Sequence, residues 1–249
     1  MKSEKPLVEK TLRLSEMLSE MGGTPILIGG VGMRFSASSA FRAAFNDAKS
    51  DERSTDVDFA LPLIPEGLSP LLKRREIEVL SAEFNGKEIE FVASRILGSS
   101  FHIEEKYETA YPLFSEACFF SGEICNFRLN AEDFSLATAH YVESGGRTYQ
   151  IAVADTALLV ATNLKPHAAS KKRMKRAAFA VMAHNDRLEH MAKRVAELFG
   201  RMELDRFELE KTLRAFYLVF HGYSAEIADG FMRELGRHLP AAKRVSRLV

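Results

Sequence analysis

The segment Ser54-Thr55-Asp56-Val57-Asp58-Phe59 sets two carboxylates two residues apart. In a strand, residues i and i+2 point to the same face, so Asp56 and Asp58 are expected to project side by side. Like charges that close repel unless something neutralises them. A hard divalent cation does so, and it favours oxygen ligands. Alone, the pattern is weak, because Asp-x-Asp arises by chance in roughly every second chain of this length. The plain reading of it is a solvated strand end. Its surroundings point further. Downstream, Glu88-Ile89-Glu90-Phe91-Val92 alternates acid and apolar residues, which sets Glu88 and Glu90 on one face and Ile89 and Phe91 in the core. A third carboxylate from a neighbouring strand is what two metal ions need. Such ions sit about 3.5–4 Å apart and stabilise both the attacking and the leaving oxygen of a phosphoryl or nucleotidyl displacement. Glu90 is the expected third ligand, and Glu88 replaces it if the register is otherwise.

Upstream, Pro25-Ile26-Leu27-Ile28 runs into Gly29-Gly30. Glycines at a strand end let the backbone approach a phosphate closely, and the free N–H groups of a following helix start favour an anion. The elements that must hold these residues follow from periodicity. Residues 6–21 carry a helical apolar stripe ended by Gly22-Gly23. Ile26–Ile28 reads as a buried strand and 37–48 as a short Ala-rich helix. Val57–Leu61 is a second strand closed by Pro62. Ile77–Phe84 and Glu88–Ala93 read as strands joined at Asn85-Gly86, a hairpin signal. Residues 112–129 and 147–153 also look extended. Beyond Asp155 the texture turns helical, with periodic segments at 155–184, 186–199, 204–221 and 224–238. The expected fold class is α+β: a mixed sheet with flanking helices in residues 1–155, followed by a helical bundle in 156–249.

The order strand, Gly-Gly, helix, then a strand with Asp-x-Asp, then a later strand with one more acid resembles the DNA polymerase β-type nucleotidyltransferases. In texture the chain is similar to small bacterial members of the AbiEii type. Their Arg-x-Thr-x-Asp-hydrophobic-Asp segment corresponds here to Arg53-Ser54-Thr55-Asp56-Val57-Asp58, with the Arg and Thr one position nearer the first Asp. The resemblance implies that Gly29 and Gly30 line a nucleoside triphosphate. It implies that Asp56 and Asp58 bind magnesium, and that Glu90 is the third carboxylate, which activates the acceptor hydroxyl. The family more often has Asp at that third position. Ile151–Asp155 followed by Thr156–Lys165 resembles the family's strand and helix leading to a lysine, so Lys165 is implied to reach the nucleotide phosphates. Relatives continue into a basic stretch with a Lys-Asp pair. Here it is Lys171-Lys172-Arg173-Met174-Lys175-Arg176, and the Asp is missing.

Those five cations in six residues have two readings: a solvated helix face, or a patch for triphosphate or an RNA backbone. Arg53 and Arg34 are further candidates for triphosphate contact. The seven histidines show no zinc spacing and read as structural or surface residues. Cys118 and Cys125 match no zinc pattern and read as small apolar strand residues of a reduced protein. Phe119-Phe120 and Phe216/Phe220 read as core rather than base-stacking platforms. Neither a Gly-x-Ser-x-Gly elbow nor a P-loop occurs.

Composition sets the outer limits. Of 249 residues, 34 are Lys or Arg and 34 Asp or Glu, a neutral total. Residues 1–150 hold 23 acids against 16 bases, and residues 151–249 hold 11 against 18. This asymmetry is a reason to expect different work from each part. Apolar content of 46% suits a globular core. No apolar run nears the roughly 18 residues of a membrane span, and the N-terminus lacks the apolar core of a signal peptide. No membrane partner and a cytoplasmic location are expected. The expected function is therefore an enzyme, a nucleotidyltransferase with a two-metal Mg2+ site. It would move a nucleoside monophosphate from a triphosphate to RNA, a protein or a small molecule, as a stand-alone enzyme or as the toxin of a toxin–antitoxin pair. The competing expectation is a catalytically degenerate nucleotide- or RNA-binding module of the same fold.

Overall fold

A computed structural model describes residues 11–12, 15–16, 18–20, 24–36, 56–61, 78–84, 87–97, 100–105, 116–121, 129–144, 146–166 and 169–240. The chain is a mixed α and β protein. It divides into two units, Met1–Val31 with Ser54–Ala154, and Gly32–Arg53 with Asp155–Val249.

The first unit is built on a sheet. Its strands are β1 (Ile26–Ile28), β2 (Asp56–Leu61), β3 (Glu78–Phe84), β4 (Lys87–Leu97), β5 (Ser100–Glu105), β6 (Glu116–Ser121), β7 (Thr138–Ser144) and β8 (Arg147–Val153). Among the described residues their lateral order is β3-β4-β5-β6-β2-β1-β8-β7. The pairs β1–β8 and β2–β6 are parallel and the others antiparallel. The sheet is therefore mixed. Ile26, Leu27 and Ile28 are all buried, as a continuous apolar run at a central position should be. Strand β8 alternates instead, with Tyr149, Ile151 and Val153 buried and Thr148 and Gln150 exposed. Tyr149 packs with the buried Leu12, and Arg147 lies over its ring at 5.5 Å. Strands β3 and β4 pair with Phe84 opposite Lys87, the register that a two-residue connection at 85–86 demands. The connecting residues themselves lie outside the described ones.

Strand β1 passes straight into helix α1 (Gly29–Ser36). The sequence reading ends the strand at Gly29-Gly30 and begins the next helix at 37. Instead the glycines themselves open a helix, and residues 37–48 lie outside the described ones. Gly29 has φ +64°, a left-handed conformation that side chains other than glycine's disfavour. A short helix α2 (Ala131–Ser135) precedes β7. Its Asn130/Asp133 capping box closes reciprocally, with Asn130 N–H donating to Asp133 Oδ2 at 2.7 Å and Asp133 N–H to Asn130 Oδ1 at 3.0 Å.

The second unit is helical: α3 (Thr156–Asn163), α4 (Lys171–Ala183), α5 (Leu188–Arg201), α6 (Arg206–His221) and α7 (Ala225–His238). The expected single helix over 155–184 is two. Pro166 has no N–H to continue the ladder, α3 ends at its cap Leu164, and Ser170 caps α4 by accepting from Arg173 N–H. Asp205 and Ser224 cap α6 and α7 in the same way. Phe216, Phe220 and Phe231 are wholly buried and meet ring to ring, with Phe216 and Phe231 edge-on at 6.2 Å. Phe216 and Phe220 are thus core, as read from the sequence. None of the described helices is long and apolar enough to cross a membrane.

Candidate active site

The glycine turn and the Asp-x-Asp strand meet at the β1–β2 ladder. These strands are antiparallel, and Ile28, the last residue of β1, is the register partner of Asp58. The C-terminal end of β1 therefore lies beside the end of β2 that carries the two aspartates. Helix α1 starts there at Gly29, and its first turn carries no acidic residue. Helix-start N–H groups without a local carboxylate are suited to an anion.

On its other side β2 pairs with β6, and the register sets Asp56 opposite Glu116 and Asp58 opposite Cys118. Strand β6 in turn pairs with β5, setting Glu116 opposite Glu104 and Cys118 opposite His102. One lateral row across three strands thus reads Asp56, Glu116, Glu104. The next reads Asp58, Cys118, His102. Like charges at directly opposed strand positions destabilise pairing unless they are neutralised. A row of oxygen-ligand residues is also the donor set that magnesium accepts. The row fits the implied cation on that ground.

Glu90 falls elsewhere. The sequence reading places it on a strand neighbouring β2, but it lies on β4, and β5 and β6 intervene. The chain makes two further antiparallel turns after β4 before a parallel strand returns to β2. Three strand steps of about 4.8 Å put β4 roughly 14 Å from β2. That span is too wide for one carboxylate to share ions with Asp56. Glu116 is the acid that the register brings beside Asp56, and the sequence reading missed it. Glu116–Ser121 falls within the stretch read as extended, but nothing local marks which strand pairs with β2. The Cys118–His102 register was equally invisible, since the two are 16 residues apart in sequence.

Lys165 lies in the second unit, in the segment between α3 and α4, and is only 8% exposed. In the basic segment, which forms the first turns of α4, Lys171 and Arg173 are exposed while Met174 and Arg176 are buried. So the segment is not a uniformly solvated face. Arg53 lies outside the described residues. Elsewhere in the second unit, Asp155 caps α3 by accepting from Ala157 and Leu158 N–H, and it pairs with the buried Arg194 at 3.9 Å. His184 Nε2 lies 3.4 Å from Thr156 Oγ1 and 3.3 Å from the Ser36 carbonyl, a structural role consistent with its reading from sequence.

No protein-family model matches this chain, and no curated protein matches its sequence.

A groove of about 620 Å³ opens toward the other end of β1. Ser15, Ser19, Thr24 and Gln150 supply its polar lining, and none of its lining residues is charged. A triphosphate needs cations or a metal to balance it, so the acid row with the glycine turn is the better candidate.

Proposed function

We propose that this chain is a magnesium-dependent nucleotidyltransferase. The observation that carries the reading is the register: the Asp-x-Asp strand lies between the strand that ends in Gly29-Gly30 and the strand that brings Glu116 beside Asp56. That juxtaposition supports the nucleotidyltransferase-type arrangement that the sequence resembles. Asp56, Asp58 and Glu116 would hold Mg2+, with Glu116 in place of Glu90 as third carboxylate. Bound magnesium supplies charge neutralisation at the reacting phosphate. The backbone N–H groups at Gly29-Gly30 and the start of α1 would receive the triphosphate. An acceptor hydroxyl then attacks the α-phosphorus in line and its proton passes to a carboxylate. The new P–O bond forms as the bond to the β-phosphate breaks and pyrophosphate leaves. Positioning and electrostatics carry most of such a reaction. RNA, protein and small-molecule acceptors are all compatible with this chemistry.

Pyrophosphate release from each of the four nucleoside triphosphates, with candidate acceptors and Mg2+, tests the reading. Asp56→Ala and Asp58→Ala should abolish it. Equal turnover by wild type and both variants sinks the assignment. Glu116→Gln against Glu90→Gln decides the third carboxylate, with the first expected to be inactive and the second active. A toxin role would appear as growth arrest on expression, lost in Asp56→Ala.

A second reading is a non-catalytic nucleotide- or RNA-binding module. The missing Asp after the Lys171–Arg176 stretch and a glutamate at the third position favour it. Calorimetry with ATP separates the two: metal-independent binding without product would select the module.

A further inference from the structure

A second set of metal-binding side chains comes from two helices of the helical unit. Glu189, in the first turn of α5, and Glu234 and His238 on α7 each offer one donor atom, and these atoms lie within 4.8 Å of one another. Glu234 and His238 are four residues apart and so share one face of α7. Gly230 continues that stripe by one more turn. A Cβ at Gly230 would come 2.9 Å from Leu188 Cδ2, so the glycine lets α5 and α7 approach closely at the residue next to Glu189. On both helices the buried residues, Phe231 and Leu235 on α7 and Met191, Ala192 and Val195 on α5, fix the packing independently of the polar trio. The backbone beneath the three donors is therefore set by the core.

We propose that Glu189, Glu234 and His238 form a binding site for a zinc-type transition-metal dication, distinct from the acid row and independent of the nucleotidyltransferase reading. The imidazole decides the class of ion. Imidazole nitrogen suits zinc, nickel, copper or iron, whereas magnesium and calcium take oxygen. Zinc holds N and O donors at about 2.0–2.2 Å, which puts two donors on one tetrahedral ion about 3.4 Å apart. The donors, within 4.8 Å of one another, reach that spacing by side-chain rotation. Three protein ligands leave a fourth position for water or for a donor from another molecule. Glu234 already has a competing partner: Arg237 Nη1 lies 2.6 Å from its Oε1, with Arg233 Nε at 3.9 Å. Both arginines are more than half exposed. Their partner Glu234 is 16% exposed, and the exposed arginine ends leave these pairs screened enough for a dication to compete with them.

Calorimetric titration of the metal-free full chain with zinc, in excess magnesium, tests the site. Wild type is expected to take one zinc equivalent here. Glu189→Gln and His238→Gln are each expected to weaken it by more than the roughly 10–100-fold that loss of an outer-shell partner costs. Arg237→Ala removes the competitor of Glu234 and is expected to tighten zinc severalfold, a gain that misfolding cannot produce. Asp56→Ala is expected to keep the zinc equivalent. Circular dichroism establishes that each variant is folded. Unchanged affinity in folded Glu189→Gln and His238→Gln, weaker binding in Arg237→Ala, or loss of the zinc in Asp56→Ala overturns the proposal.

Discussion

The helical unit and the sheet unit place their decisive contacts at opposite distances along the chain. In the helical unit each described cap lies at the helix it closes: Asp155, Ser170, Asp205 and Ser224 accept from N–H groups two or three residues on. In the sheet unit the residues that define the candidate site meet across long separations, Asp56 with Glu116 and Asp58 with Ile28. Stability in the first case is written locally and summed by packing. The chemistry proposed for the second depends on register and requires the formed sheet. The contrast predicts that substitutions in the two units fail in different ways.

The largest expected effect is catalytic. On the proposed reading, Asp56→Ala or Asp58→Ala should lower nucleotidyl transfer by roughly 10²–10³-fold, the typical loss when one preorganised charge-stabilising group is removed. The thermal transition followed by helical circular dichroism should stay in place. A large loss of melting temperature in these variants would break the contrast. Next comes Phe231→Ala in the aromatic core of the helical unit. It should cost about 3–5 kcal/mol by chemical denaturation, with transfer per folded molecule retained. Asp155→Ala is intermediate. It removes the α3 cap and one partner of the buried Arg194, which keeps Glu197 at 3.2 Å. About 1–2 kcal/mol is expected, and Asp155→Asn, which keeps the cap acceptor, should recover part of it.

The smallest effect is a titration in the sheet unit. Burial raises the Glu16 carboxyl above its ordinary value, against the pull of Arg147 at 3.4 Å, and Glu20 adds to the rise. A raised carboxyl means that ionised Glu16 opposes folding at neutral pH. That penalty should be relieved as pH falls through the raised midpoint. Side-chain NMR titration should place the Glu16 midpoint above that of an exposed glutamate. A midpoint at or below the exposed value would show that the Arg147 pair outweighs burial.

The same division explains what could be read from residues alone. Helices expected at 186–199, 204–221 and 224–238 form at Leu188–Arg201, Arg206–His221 and Ala225–His238. Apolar period, caps and breakers are local signals. The single helix expected over 155–184 set the apolar period above Pro166, and the chain makes two helices there. Some strands were legible for a related reason: Ile26–Ile28 is a short apolar run and 147–153 alternates, whereas Ser100–Glu105 and Thr138–Ser144 were not read as strands. Strand order was not legible. Glu90 has the right residue type and the right alternation, yet β5 and β6 stand between it and Asp56. Glu116 has no comparable flanking pattern and yet lies in register with it. Which acid joins a metal site depends on pairing partners, and no short window of sequence records those.

One three-residue strand carries a kinetic consequence. Strand β1 joins the β7–β8 hairpin to the other five strands, since it pairs with β2 on one side and with β8 on the other. Its parallel seam with β8 rests on Ile26 opposite Ala152, Leu27 opposite Val153, and an Ala154 N–H donating to the Leu27 carbonyl at 3.0 Å. The partners are about 126 residues apart in the chain, and closing a loop of that length makes their pairing slow. On a ribosome the β8 edge of β1 stays unpaired until residue 154 has emerged, although β2 can pair with its other edge much earlier. During that interval the edge of β1 that pairs with β8 is unpaired and open to another chain.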